Sequence, residues 1–380
     1  MKLVNTVLLV LFCIFVAFSS YAHHSSAPHF DESKTIEVEG SVTKFMFVNP
    51  HAYIYFNVAD SAGKSVPWRC ELSARAALER LGWSESLFPV GVRIKVKGAP
   101  ARREDHVCYT TNITFADGRV IGRAQQFSSS SSVTSSVVTS KTTSRPARQA
   151  DGHPNLAGYW VSQDGPPGGM GGGGAPSAGG MGSDAGAGGM GGPPGGGGMG
   201  GESALLLTPA GEAASSKYDS RYDDPALQCN AANIFFGWTH DQNVNKITQS
   251  KDEIVLTYGY MDLVRIIHMN MTEHPKKITP STAGHSIGKW EGDVLVVDTL
   301  GFKPSVLIPI SGKVHSDKLH TTERFTVDNA AGTLTRDYVA EDSLYLQSPY
   351  KGRDLVALSE QPYQPFKCVE LSGKNNIRPK

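Results

Sequence analysis

The sequence lacks an excess of charge of either sign, because 36 Lys and Arg residues are balanced by 36 Asp and Glu residues. A neutral chain has no electrostatic reason to bind a nucleic acid or an anionic membrane surface, so we expect neither partner. The HExxH and P-loop motifs are also missing, and no dinucleotide-binding glycine motif stands between a strand and a helix. Gly284-His285-Ser286-Ile287-Gly288 matches GxSxG but lacks the context of a nucleophile elbow, so hydrolase, kinase and dehydrogenase functions have no positive support. After residue 22, no segment is long and apolar enough to span a membrane.

The first 22 residues have the pattern of a secretory signal peptide. Lys2 supplies the positive start, an apolar run follows from Leu8 to Phe18, and Ser20-Tyr21-Ala22 is a cleavage site of small residues. We predict cleavage after Ala22, which gives a mature chain that begins at His23. The protein is therefore predicted to be periplasmic or secreted.

Few cysteines remain in the mature chain: Cys70, Cys108, Cys229 and Cys368. An even number in an oxidising compartment predicts two disulfides, and the absence of a CxxC spacing disfavours a metal site built from them. Three pairings exist. The domain boundary described next favours Cys70–Cys108 and Cys229–Cys368.

Strand patterns dominate the chain and predict an all-β protein with two domains. In the first domain, residues 23–127, a short helix at 73–82 is surrounded by strand patterns at 35–48, 52–59, 66–72, 91–97 and 107–116. This order predicts a small five-stranded OB-like barrel. The third and fifth strands are neighbours in such a barrel, which would bring Cys70 beside Cys108.

A Ser/Thr-rich linker is predicted at 128–150, and a second domain at 151–372. The Gly/Met-rich tract at 165–201 cannot build a core and is predicted to be a disordered insertion. Seven or eight strand-like runs, with turn signals and no convincing helix, indicate a larger antiparallel barrel or sandwich. Gly158-Tyr159-Trp160 has the GxW pattern that opens lipocalin-type barrels.

Both domains resemble exported bacterial proteins known only as domains of unknown function. The first domain carries the resemblance at His23-His24-Ser25, Asn49-Pro50-His51, Trp68 with Glu71, Leu81-Gly82-Trp83 and Asp117-Gly118. The second is similar to a companion domain at Gly284-His285-Ser286, Lys289-Trp290-Glu291-Gly292-Asp293, Val296-Val297-Asp298-Thr299, Gly301-Phe302 and Glu323-Arg324-Phe325. It departs at Glu341-Asp342-Ser343, where the family has an Asp-Pro pair. The resemblance implies export and architecture, and it implies no activity.

The predicted mature N-terminus is a candidate copper site. His23 would offer its α-amine and its imidazole to one ion, as in the histidine brace of copper enzymes, and His24 or His51 would complete the set. An α-amine with a pKa of about 7.7–8 gives up its proton to a metal at neutral pH, and nitrogen ligands suit Cu(II). His29 is a further ligand candidate. The alternative is that His23 and His24 form a solvated terminus and that His51 is a turn residue.

The second domain concentrates histidines between positions 268 and 320, namely His268, His274, His285, His315 and His320. We expect His285 in a Gly-flanked loop, where functional side chains are often displayed. His285, His320 and Arg324 are candidates for ligand binding or acid–base catalysis, and Trp290 for ligand contact. The alternative is that residues 290–293 are a turn signature and that Glu323–Arg324 is a structural ion pair.

Three functions follow from these patterns. The first is a periplasmic binding protein that binds copper at its mature N-terminus and a small ligand in the second domain. The second is a periplasmic enzyme with acid–base chemistry around His285 and His320. The third is an envelope interaction module in which the histidines are structural.

Overall fold

The computed structural model describes Ser26, Gln125 and residues 28–123, 145–162, 205–240 and 243–369. The predicted signal peptide, His23, His24, the Gly/Met-rich tract and most of the predicted linker lie outside these described residues. Within them the protein is all-β, as predicted, with a closed five-stranded barrel and a larger closed barrel of nine strands. No helix in the described part of the chain has the length and apolar character needed to cross a membrane.

The first barrel contains one helix and six strands, of which five close the barrel. They are β1 (Ile36–Met46), β2 (Tyr53–Ala59), β3 (Ser65–Glu71), α1 (Arg75–Arg80), β4 (Arg93–Pro100), β5 (Val107–Phe115) and β6 (Val120–Gly122). The sheet runs β3-β2-β1-β4-β5-β6, and a parallel pairing of β3 with β5 closes it. This connectivity, with the helix between β3 and β4, confirms the OB-like prediction.

Alternation along the strands builds the core of this barrel. Ile54 and Phe56 of β2 point inward and are fully buried, and Leu78 of α1 packs into the same cluster. Cys70 and Cys108 lie directly opposite each other in the β3–β5 register, with Cα atoms 4.5 Å apart, and form a disulfide. The predicted pairing is confirmed.

The second barrel is formed by nine strands of the remaining chain. They are β7 (Gly158–Ser162), β8 (Asn245–Gln249), β9 (Glu253–Thr257), β10 (Val264–His268), β11 (His285–Glu291), β12 (Val294–Leu300), β15 (Leu319–Asp328), β16 (Thr333–Asp342) and β17 (Tyr350–Leu358). They close in the order β10-β11-β12-β15-β16-β17-β7-β8-β9. A separate hairpin comprises β13 (Ser305–Ile308) and β14 (Lys313–His315).

The second barrel differs from the sequence prediction in three respects. His285 is the first residue of a strand and does not lie in a loop, because β11 pairs along its full length with β12. The β10–β11 pairing is parallel, because the chain crosses the barrel end between the two strands. Short helices are also present, namely α2 (Pro209–Ser215), α3 (Ser220–Asp223) and α4 (Phe236–Thr239).

Charged groups are buried inside the second barrel. Glu323 faces inward, as the alternation of β15 predicts, and accepts hydrogen bonds from the guanidinium groups of Arg265 and Arg336. Arg336 also binds Asp354 of β17. The predicted Glu323–Arg324 ion pair is therefore wrong, because Arg324 faces the opposite side of the strand and pairs with Glu291 at 3.0 Å.

The two barrels are in contact through the loop that follows β1. The Asn49 side chain donates to the Phe366 carbonyl, and its Oδ1 accepts from the Ala76 amide at 3.0 Å. Beside this contact, Cys229 and Cys368 form the second predicted disulfide, with Cα atoms 5.6 Å apart. Residues 145–150, the end of the predicted linker, pack on the second barrel, where Arg148 binds Asp293 at 2.7 and 2.8 Å.

Candidate functional site

A cluster of polar side chains lies on the outer wall of the second barrel. The inward positions of β12 and β15 are buried, so the intervening, less buried residues Asp298 and His320 face outward. By the same alternation, His268 ends β10 and His285 begins β11 on the outer side. Four adjacent strands therefore present one polar group each at this face.

His274 connects this group, although it comes from the segment that links β10 to β11. Its Nε2 lies 2.8 Å from Asp298 Oδ1, and its Nδ1 lies 2.9 Å from His285 Nδ1. His320 Nε2 lies 2.6 Å from the other Asp298 oxygen. A carboxylate can only accept, so His274 and His320 each donate an N–H to Asp298. The residues His274, His285, Asp298 and His320 are hereafter the outer histidine cluster.

The electrostatics of this cluster distinguish its members. The hydrogen bond to Asp298 raises the pKa of His320 above its usual value, although burial opposes this. The same hydrogen bond from His320, aided by that from His274, lowers the pKa of Asp298. Burial, followed by the neighbouring His268 and His274, lowers the pKa of His285. A lowered pKa favours the neutral form of His285, in which one ring nitrogen carries a lone pair.

Further charged groups flank the outer histidine cluster. The His268 ring stacks on the His285 ring with centroids 5.0 Å apart, and its Nδ1 lies 3.7 Å from Glu253 Oε1. On the other side, His320 Nδ1 lies 3.8 Å from Glu341 Oε2. The imidazoles are therefore bordered by carboxylates at both ends.

Two of the predicted ligand-binding residues, Trp290 and Arg324, do not belong to this cluster. Trp290 lies on the inward side of β11, where it packs against the core and stacks on His153 with centroids 4.8 Å apart. Arg324 shares the outer face of β15 with His320 but lies four positions further along the strand, a distance of about 13 Å. Arg324 instead helps to line a neighbouring cavity of about 480 Å³, with Asp337 and Arg353.

A second group of candidate ligands lies in the first barrel. His51 Nδ1 lies 2.5 Å from Glu71 Oε1, and the Tyr53 hydroxyl lies 3.4 Å from Glu71 Oε2. His29 is close enough to interact electrostatically with both Glu71 and His51. Burial alone would raise the pKa of Glu71, but His51 and then Arg123 outweigh burial and lower it. The structure therefore pairs the predicted ligand candidate His51 with a buried carboxylate and brings His29 within electrostatic range of that pair.

The predicted brace residues His23 and His24 lie outside the described residues. Among the residues that are described, no group of three or more His, Cys, Asp or Glu side chains is already arranged to hold a metal ion. In the first barrel, Ser26 nevertheless interacts with Tyr109, which is paired with Glu71 in the sheet. Ser26 therefore lies close to the strand position of Glu71, the partner of His51.

The sequence predictions did not single out Asp298, His274 or Glu71 as site residues. Asp298 interrupts the apolar strand β12 at an outward position, which is a readable signal once the strand is assigned. His274 carries no such signal, because it lies 11 residues before His285 and outside any strand. Glu71 ends β3 and has the alternation of an ordinary barrel residue.

Comparison with known proteins relates only the first part of the chain to a family. A model described as "Family of unknown function (DUF6152)" matches residues 11–108. The match covers roughly a quarter of the chain, includes His51 and Glu71, and ends within β5. No curated protein and no solved structure matches the chain.

Proposed function

We propose that this is an exported binding protein whose first barrel holds a copper ion. The observation that carries the proposal is the pairing of His51 with the buried carboxylate of Glu71, within electrostatic range of His29. Two imidazoles and a carboxylate form a nitrogen-rich ligand set with an oxygen donor, and Cu(II) leads the divalent ions in affinity for such sets. The two disulfides fit export to an oxidising compartment.

The mature N-terminus supplies the remaining ligands in this proposal. His29, His51 and Glu71 do not form a complete site by themselves, so the ion requires donors from elsewhere. His23 precedes Ser26 by three residues, and an extended chain spans about 3.3–3.6 Å per residue. The α-amine and imidazole of His23, and the imidazole of His24, are thus within about 10 Å of Ser26, which interacts with the neighbour of Glu71.

The proposal is tested by copper binding to the mature protein. Mass spectrometry should first verify that the exported chain begins at His23. We then expect one Cu(II) per chain, with an EPR spectrum rich in nitrogen couplings. His51→Ala removes one ligand, and one extra residue before His23 displaces the α-amine, so both variants should lose this copper.

His106→Asn is the matched control. His106 lies in the same barrel, contacts Trp68 edge-to-face, and has a φ of 61°. Asn tolerates this left-handed backbone conformation better than most residues, so the control should fold and keep its copper. Unchanged copper binding in both His51→Ala and the extended chain would refute the proposal.

Small-ligand binding by the second barrel remains part of the proposed function. The enzyme and interaction-module alternatives remain predictions. We favour binding over acid–base catalysis around His285 and His320 because both rings lie on an outer wall. Two described cavities, of about 630 and 480 Å³, are lined by other residues.

A further inference from the structure

We propose that the outer histidine cluster is a second metal site, separate from the copper site of the first barrel. In this proposal the Nδ1 atoms of His274 and His285 bind a divalent late transition-metal ion. Asp298 holds His274 in position, and His268 supplies a third nitrogen. The inference does not depend on the N-terminal residues or on His51.

The hydrogen bonds of His274 determine which of its ring nitrogens can bind a metal ion. Its Nε2 must hold a proton, because it donates to the Asp298 carboxylate at 2.8 Å. A neutral His274 therefore has its lone pair on Nδ1, and that atom faces His285 Nδ1 at 2.9 Å. The two nitrogens share a single proton in the metal-free protein. A metal ion can take the place of this proton, which moves to His285 Nε2, so that both Nδ1 lone pairs bind the ion while both rings stay neutral.

The carboxylate is placed as in many histidine metal sites. A metal-binding imidazole commonly donates its other ring N–H to a carboxylate, which orients the ring and raises its basicity. Asp298 does this for His274, and His320 donates to the second oxygen of Asp298 at 2.6 Å. His320 thereby positions Asp298 without contacting the ion.

The spacing of the two nitrogens requires a small adjustment. Zinc–nitrogen bonds of about 2.0–2.1 Å at a tetrahedral angle place two nitrogens about 3.3 Å apart. The present separation is 2.9 Å. His274 belongs to the segment between β10 and β11, outside the strands, so a shift of about 0.4 Å does not disturb the barrel.

His268 is the nearest source of a third nitrogen. Its ring already stacks on the His285 ring, so rotation about its side-chain torsions turns a nitrogen towards the shared ion. Glu253 lies 3.7 Å from its Nδ1 and can orient His268 as Asp298 orients His274. The set is not preassembled around one point, so we infer that the metal completes it.

The charges of the region favour a cation over an anion. Asp298 lies within the cluster, and Glu253 and Glu341 flank it. An anionic ligand would face these carboxylates, whereas a divalent cation is attracted by them. All four cysteines of the described chain are in disulfides, so the ligands are imidazoles, which suit Zn(II), Cu(II) and Ni(II).

Zinc titration of the full mature protein tests this site. Equilibrium dialysis with Zn(II) should load the outer histidine cluster in the wild-type protein, and His274→Ala and His285→Ala should each lose one equivalent. Asp298→Asn should weaken that equivalent by about 10–100-fold, because it removes the orienting carboxylate. The matched control is His153→Ala, whose ring stacks on Trp290 in the same barrel. It should bind as the wild type does.

A second measurement needs no variant. In the wild-type protein, Zn(II) should shift the imidazole nitrogen resonances of His274 and His285 far more than those of His315. Equal zinc uptake by the wild type and both alanine variants, or unshifted His274 and His285 resonances at saturation, would overturn the proposal. His51→Ala and the N-terminal extension should leave this zinc equivalent in place, so each metal proposal fails or stands separately.

Discussion

Replacing Glu323 by glutamine tests how the second barrel tolerates charges in its interior. Glu323 is fully buried and accepts from Arg265 Nη1 at 3.0 Å and from Arg336 Nη1 at 3.4 Å. Glutamine preserves the shape but removes the negative charge and presents an NH₂ group to two guanidinium donors. Arg336 would keep Asp354, whereas Arg265 would keep uncharged partners, the hydroxyls of Ser286, Thr299 and Tyr258.

The expected cost is large because the change leaves a buried charge uncompensated. Removing one partner of a buried ion pair destabilises a protein by about 3–5 kcal/mol. For a barrel of this size, each kcal/mol lowers the melting temperature by about 2–4 °C, so we expect a decrease of about 6–20 °C. The Glu291–Arg324 pair is exposed and screened by solvent, so Glu291→Gln should destabilise the barrel far less than Glu323→Gln.

Urea unfolding followed by near-ultraviolet circular dichroism measures both variants. Trp238 lies close to the network, with its ring 5.5 Å from the Arg336 guanidinium, so the signal reports on the barrel interior. If Glu323→Gln costs no more than Glu291→Gln, the interior charges do not stabilise the barrel in the way argued here. The reasoning would then be refuted even if both variants fold.

Three further predictions concern other parts of the structure. Cys229→Ser with Cys368→Ser should lower the unfolding free energy by about 2–5 kcal/mol in denaturant titration, because that disulfide closes a long loop. Asn49→Ala should cost about 1–3 kcal/mol and hasten proteolysis near Phe366, because it leaves buried polar groups at the barrel contact without a partner. Burial lowers the pKa of His315 in the folded protein below its usual value of 6.5. As the pH falls below 6.5, the unfolded chain therefore binds a proton at His315 before the folded chain does, which favours unfolding. Wild-type stability should therefore decrease from pH 6.5 downwards, and His315→Gln should reduce this slope in denaturant titrations above and below pH 6.5. The disulfide prediction is contradicted if the double serine variant is as stable as the wild type. The Asn49 prediction is contradicted if Asn49→Ala is cleaved at the wild-type rate, and the His315 prediction if His315→Gln leaves the pH slope unchanged.

Much of the fold could be predicted because its patterns are local. Period-two alternation marks β2, β4 and β15, and turn residues separate the strands, so strand positions follow from neighbouring residues. The β11 strand does not follow from the pattern, because two inward positions carry Ser286 and Gly288 and one outward position carries Ile287. Its identity depends on pairing with β12, which is a tertiary contact.

The candidate site was only partly predictable for the same reason. His285 and His320 were selected as individual residues, but their connection runs through His274 and Asp298. The parallel β10–β11 pairing brings His274 over the outer wall, and no local pattern encodes that crossing. Trp290 was grouped with His285 because the two are close in sequence, yet alternation along β11 turns them to opposite sides.

By itself, the sequence determined the all-β class, the two disulfide pairs and the OB-like order of the first barrel. These depend on periodicity, composition and spacing along the chain. Only the tertiary structure decided that Glu323 pairs inward with two arginines, that His51 pairs with Glu71, and that Asp298 joins two histidines. Each of these depends on barrel closure, which brings together side chains from strands that are distant in sequence.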